Sequence, residues 1–177
     1  ERNMKILVDS AHGAHFGIID ILPESAIRLG ADMVVMSAHK TLPSLTQTAY
    51  LHVGDSVDIK KVDFYYSAFT STSPSYPFLI SLEYCRHYLG SAGKRDYKNC
   101  IELANYYRSM INEIDGFHII TREDIKYEKN IFDMDESRFI INISNGANGH
   151  NLLRYLKENG IQSEMSDESN VVLILSP

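Results

Sequence analysis

Apolar and polar residues alternate in blocks along this chain, and the lengths of the blocks predict its elements. Residues 4–8 (MKILV) form a short apolar run closed by Asp9, the pattern of a strand buried on both faces of a parallel sheet. Residues 23–29 (PESAIRL) open with proline and acid and are closed by Gly30, which are helix start and stop signals. Residues 31–36 (ADMVVM) read as a second buried strand and residues 48–53 (TAYLHV) as a third, with the polar segment 37–47 between them. Strand, helix, strand at this spacing predicts a parallel α/β sheet whose ligands gather beyond the carboxyl ends of its strands. Asp9 and the segment 37–40 belong to those ends.

Further along, residues 69–77 (FTSTSPSYP) make a hydroxyl-rich loop broken by proline, which leads into a helix over 78–89. Residues 90–93 read as a joint and a domain boundary. From 94 to 114 the apolar positions Ile101, Ala104, Tyr107, Ile111 and Ile114 recur at three and four residues, which predicts a long amphipathic helix. Strands are expected at 117–120, 138–143, 161–164 and 171–175, with one helix at 150–158 ended by Gly160. The acidic segment 122–136 reads as an exposed loop. The expected architecture is α/β: a parallel-sheet part over residues 1–90, then a small α+β domain over 91–177.

Composition narrows the function classes. The chain has 177 residues, 44% of them hydrophobic, enough for a real core. Its formal charge of −6 is scattered rather than blocked, so no basic face suits a nucleic-acid backbone and nucleic acid is not an expected partner. There are two cysteines, Cys85 and Cys100, no run of about 18 apolar residues and no basic-then-apolar leader. The expected setting is therefore a reducing cytoplasm, with no membrane partner. The chain starts at Glu1 shortly before one strand and stops at Pro177 directly after another, which points to a part of a longer protein.

The chemistry-bearing residues cluster at the predicted strand ends: Asp9, His12, His15, His39 and Lys40. Most lysines are plain surface residues. Lys40, however, follows an apolar run and sits among Ser37, His39 and Thr41, groups suited to a phosphate. A lysine held against apolar surface loses proton affinity and becomes an amine able to form a Schiff base. Asp9 is either a turn former or a carboxylate that keeps a heterocyclic nitrogen protonated. His12 and His15 with Asp9 offer three metal donors, but Gly13 interrupts the pair and no second ligand cluster follows, so no metal is expected. His15 has the simpler reading of a hydrogen-bonded structural histidine near a turn, and His12 that of a ring packed near a cofactor.

The segments VDSAHGAHFG (8–17), LPESAIRLGADMVVMSAHKTLPSLTQTAYLHVG (22–54) and STSPSYP (71–77) together resemble the cofactor-binding core of the Orn/Lys/Arg decarboxylase family. NGIQSEMSDESNVVLILS (159–176) resembles the same family downstream, so the likeness spans nearly the whole chain. Its most specific block is SAHKTLP (37–43). One departure is Ser10, where relatives of this kind often carry Glu; it bears on the subgroup rather than on the cofactor. The resemblance implies a pyridoxal 5'-phosphate enzyme of the aspartate aminotransferase-like fold, with residues 1–90 as the C-terminal portion of the large domain and 91–177 as an incomplete small domain. Lys40 would carry the cofactor as a Schiff base, Asp9 would pair with the pyridine nitrogen, Ala11 and His12 would lie against the ring, and Ser37 and His39 would touch the phosphate. Thr72 and Ser73 would reach the phosphate site of a neighbouring subunit, which implies a homodimer or larger homo-oligomer. The phosphate-cradling loop and the stacking aromatic would lie N-terminal of Glu1.

The expected reaction is decarboxylation of a basic amino acid, arginine, lysine or ornithine, towards a polyamine or its precursor, with His39 or Lys40 returning a proton to the α-carbon. Another pyridoxal-phosphate enzyme, an aminotransferase or lyase, would need the same Lys40 and Asp9. A chain lacking half of its pocket would be an inactive fragment of the decarboxylase.

Overall fold

A computed structural model describes residues 4–144, 146 and 148–177. The chain divides into two compact units: residues 4–20 with Glu24–Lys94, and Ile21–Pro23 with Arg95–Pro177.

The first unit is built on a three-stranded sheet of order β1-β2-β3, with β1 Leu7–Asp9, β2 Met33–Ser37 and β3 Ala49–Val53. β1 and β2 are parallel, and Asp9 lies opposite Val35. β3 runs antiparallel to β2, with Ala49 opposite Ser37, so the parallel sheet expected over this region is limited to one strand pair. The reason is length: a parallel return needs a crossover of about a dozen residues or more, usually through a helix. Segment 38–48 holds only the four-residue helix α1, Ala38–Thr41, and a loop.

The helix expected over 23–29 is instead a run of turns, in which Leu29 N donates to Ser25 O and Gly30 N to Ile27 O before Gly30 takes a φ of 97°. Those turns cover one face of β2. Val34 and Met36 alternate onto that face and are buried with Ala31, against Val8, Ala14, Ala26 and Ile27. Two further helices follow. α2, Ile59–Phe69, is capped by Asp58, whose carboxylate accepts from Lys60 N, and buries no residue. α3, Tyr76–Tyr88, starts with proline in its first turn. The expected joint at 90–93 is a π-helical turn, Leu89–Gly93, with no loop between α3 and the next helix.

The second unit has α4, Lys94–Asn112, whose buried residues Tyr97, Ile101, Ala104 and Arg108 fall four, three and four apart on one face. Its antiparallel sheet has the order β4-β5-β7-β6, from β4 Phe117–Ile119, β5 Arg138–Ile143, β6 Met165–Ser166 and β7 Asn170–Ile174. Along β5, Phe139, Ile141 and Ile143 are buried on alternate positions, and the first two join Ala104 and Ile119 in one core. The Asn112 side chain acts as an extra strand partner: its Oδ1 accepts from Ile119 N at 2.6 Å and its Nδ2 donates to Ile119 O at 3.2 Å.

Three local expectations change here. The strand expected at 161–164 is displaced to β6, with Glu164 N already donating to Val172 O at 2.8 Å. Segment 122–136 is more than a loop. It opens with α5, Arg122–Ile125, under a Thr121–Asp124 capping box, and it ends in buried Glu136. Arg122 then reaches Asp133 at 2.6 Å, Glu136 Oε1 at 2.5 Å and the Ile21 carbonyl at 2.7 Å, so two acids of this segment, Asp133 and Glu136, converge on one guanidinium. α6, Gly149–Glu158, is capped by Asn148, whose side chain accepts from His150 N and Asn151 N. Among the described residues, no helix is long and apolar enough to cross a membrane.

Candidate functional site

Parallel pairing of β1 with β2 opens both carboxyl ends on the same edge of the sheet. The ladder continues one step past β1, where Ser10 N donates to Val35 O at 2.9 Å. The chain then turns: Gly13 N donates to Ser10 O and Phe16 N to Gly13 O. Gly13 lets this turn close tightly, because a Cβ there would stand 2.8 Å from the Phe16 ring and against Ser10 Oγ, and both side chains would have to shift. His15 is buried by the same turn, edge-on to Phe16 with ring centroids 4.9 Å apart.

Asp9 ends β1 and is exposed; its Oδ1 accepts from Ala11 N at 3.0 Å, so the carboxylate forms an Asx turn that shapes the next residues. His12 is also exposed, and its Nε2 lies 3.4 Å from Lys40 Nζ. That contact joins residues 28 positions apart, one on the loop after β1 and the other on α1 after β2. At 3.4 Å it is a long hydrogen bond. Lys40 is exposed rather than tucked against apolar surface; in α1 it is Ala38 and Thr41 that turn inward.

His39 is half-buried, and its Nδ1 lies 3.0 Å from the carbonyl oxygen of Thr48. A carbonyl only accepts, so Nδ1 carries the proton and the other ring nitrogen is left as the acceptor of the neutral ring. Sequence reasoning missed Thr48, because the group used is a backbone carbonyl that any residue would supply. Ser37 stands at the N-cap of α1 but makes no side-chain cap bond. Ala11 is half-buried beside Asp9.

The structure thus collects Asp9, Ala11, His12, Ser37, His39 and Lys40 at one sheet edge. Thr72 and Ser73 are different. Both are exposed on the loop between α2 and α3, where Ser73 N donates to Ser71 Oγ at 3.1 Å, and among the described residues no hydrogen bond ties them to that edge. No three of the described His, Cys, Asp and Glu residues are grouped to hold a metal ion.

The profile of the Orn/Lys/Arg decarboxylase major domain matches residues 1–177. The chain belongs to this family. The arginine decarboxylase of Halalkalibacterium halodurans is 38% identical over 178 residues, which cover 99% of this chain and 36% of that protein. That of Bacillus subtilis is 35% identical over the same shares. The constitutive lysine decarboxylase of Escherichia coli has a solved structure that matches with a TM-score of 0.76 at 23% identity, over 96% of this chain and 30% of that one. This structural likeness speaks for the fold. The chain spans about a third of the length of the curated decarboxylases it matches.

Proposed function

We propose that this decarboxylase-family chain supplies the lysine-bearing part of a pyridoxal-phosphate site that removes the carboxyl group of arginine, lysine or ornithine. The observation that carries the reading is the meeting of Lys40 with the Asp9–His12 turn at one sheet edge, with Lys40 Nζ 3.4 Å from His12 Nε2. The donor set fits the cofactor: an amine for its aldehyde (Lys40), a carboxylate for its ring nitrogen (Asp9), small and flat groups for its ring (Ala11, His12), and a hydroxyl and an imidazole for its phosphate (Ser37, His39). When bound, pyridoxal phosphate supplies a sink for the electron pair left as the bond from the α-carbon to the carboxylate breaks.

The chain's own residues have three tasks. Asp9, fixed by Ala11 N through one oxygen, would hold a cationic ring nitrogen by charge. Lys40 must lose a proton before its amine can attack, and His12 Nε2 stands within reach to accept one when its ring presents a lone pair there. His39, whose Nδ1 proton is held by the Thr48 carbonyl, would return a proton to the α-carbon from Nε2 once that nitrogen is itself protonated, and Lys40 is the alternative donor. Thr72 and Ser73 would serve the site of a second subunit in a cytoplasmic homo-oligomer.

Borohydride reduction of the protein treated with pyridoxal phosphate, followed by peptide mapping, is expected to place a pyridoxyl group on Lys40, and Lys40→Ala to abolish it. Labelling spread over several surface lysines, unchanged in Lys40→Ala, would remove the assignment. In the active enzyme, release of CO2 rather than a ketoacid separates decarboxylase from aminotransferase.

A further inference from the structure

The loop that follows Lys40 is closed by a ring of hydroxyls. Leu45 N donates to Ser81 Oγ at 2.7 Å; Ser81 Oγ lies 3.0 Å from Ser44 Oγ; Ser44 Oγ lies 2.8 Å from Thr48 Oγ1; and Thr48 Oγ1 lies 2.6 Å from the Leu45 carbonyl. Thr48 Oγ1 shares its one proton between the Leu45 carbonyl and Ser44 Oγ, Ser44 and Ser81 share one further bond, and Ser81 Oγ accepts from Leu45 N, so three hydroxyls close a ring on the backbone of Leu45.

This ring grips a segment that needs it. Gln47, inside the loop, has a φ of 79°, a conformation that side-chain-bearing residues rarely adopt. Thr48 is buried, and its carbonyl is the acceptor that orients the His39 ring, while Ser81 belongs to α3, a separate element more than thirty positions along the chain. The path from α3 to the Lys40 segment therefore runs through Ser81, the turn 44–48, the Thr48 carbonyl and His39 Nδ1.

We infer that Ser81 is a positioning residue for the lysine-bearing segment, acting through the Ser44–Thr48 ring to hold the Thr48 carbonyl on His39 and so to fix the His39 tautomer beside Lys40. The inference deepens the reading of this edge as a pyridoxal-phosphate site and rests on it for its catalytic meaning. The tautomer itself is a property of the protein alone.

The test uses nitrogen-15 NMR of labelled histidine in the wild-type protein, Ser81→Ala, Ser44→Ala and Ser81→Thr. His39 is expected in the Nδ1-protonated form in the wild type, to shift towards the Nε2-protonated form in both alanine variants, and to return in Ser81→Thr, which keeps the hydroxyl. The rate of borohydride-trapped labelling at Lys40 should fall by roughly three- to tenfold in the alanine variants, the scale of one net hydrogen bond. Ser44→Ala breaks the same ring from the loop side and carries the test if Ser81→Ala does not fold. An unchanged His39 tautomer in either folded alanine variant overturns the inference. A wild-type protein that takes no label at Lys40 overturns the cofactor reading instead, and the nitrogen shifts still decide the positioning.

Discussion

The two units bury their apolar residues differently. In the second, β5 alternates half-buried and buried positions along its whole length, and α4 lays one continuous stripe over the sheet. In the first, α2 buries nothing, Phe64 and Phe69 are 67% and 84% exposed, and Leu7, Val35 and Leu51 remain exposed on β1, β2 and β3. An open hollow of about 330 Å³ separates α2 from the sheet, lined by Met33, Leu51, Val62, Tyr65 and Tyr66. All the residues proposed for the cofactor belong to this less covered unit. The contrast is one of packing: one unit closes a core of its own, and the other, which holds the residues proposed for the cofactor, leaves much apolar surface uncovered by this chain.

The strongest way to break this contrast is to remove a core side chain from the closed unit. Ile119 is fully buried among Ala104, Phe139 and Ile141, so Ile119→Ala should lower the unfolding free energy by about 2–5 kcal/mol in urea denaturation followed by circular dichroism. Val34→Ala, in the smaller cluster of the first unit, removes fewer atoms from a site that can relax and should cost about 2 kcal/mol. Val34→Ala proving the costlier change would reverse the ranking of the two cores.

Acid should act on the first unit through Asp32, which ties β1 to β2 and to the turn beyond β3. Its carboxylate takes hydrogen bonds from Ser56, from Ile6 N at 2.8 Å and from Lys5 at 3.1 Å, and these hold its pKa down from 3.8 to about 2. A depressed carboxyl pKa adds stability that is complete above about pH 4 and is lost as pH falls towards 2. In the second unit Asp124 is lowered in the same way, first by the Thr121 hydroxyl and amide and then by His118, so Asp32→Asn should flatten the acid limb without abolishing it. Stability curves from pH 5 to 2 with equal slopes for Asp32→Asn and wild type would show that Asp32 does not contribute.

What could be read from sequence follows the same divide. β5 and α4 were legible because a packed face imposes its period on the chain, 2 in one case and nearly 3.6 in the other. α2 was missed although Ile59, Val62, Tyr66 and Phe69 recur at three, four and three residues, because Phe64 and Tyr65 widen the apolar face and blur that period. The direction of β3 was misread because apolar runs do not encode strand polarity, and only the short 38–48 connection decides it. At the site, Asp9 and Lys40 stood out through their motif. The bonds between His12 and Lys40, between His39 and Thr48, and from Ser81 to Leu45 join residues 28, 9 and 36 positions apart, and no periodicity marks such pairs.

The smallest expected effect gives the sharpest test of the exposed face. Phe64 on α2 touches the Tyr65 ring edge-on, with centroids 5.3 Å apart, and is otherwise turned to water. Serine and phenylalanine differ little in helix propensity, so Phe64→Ser should move stability by no more than about 0.5 kcal/mol in the chain taken alone. A loss of about 2 kcal/mol or more, or a loss that grows with protein concentration, would mean that the aromatic face of α2 is covered in solution. The difference between the units would then lie in what covers the first one rather than in how well it packs by itself.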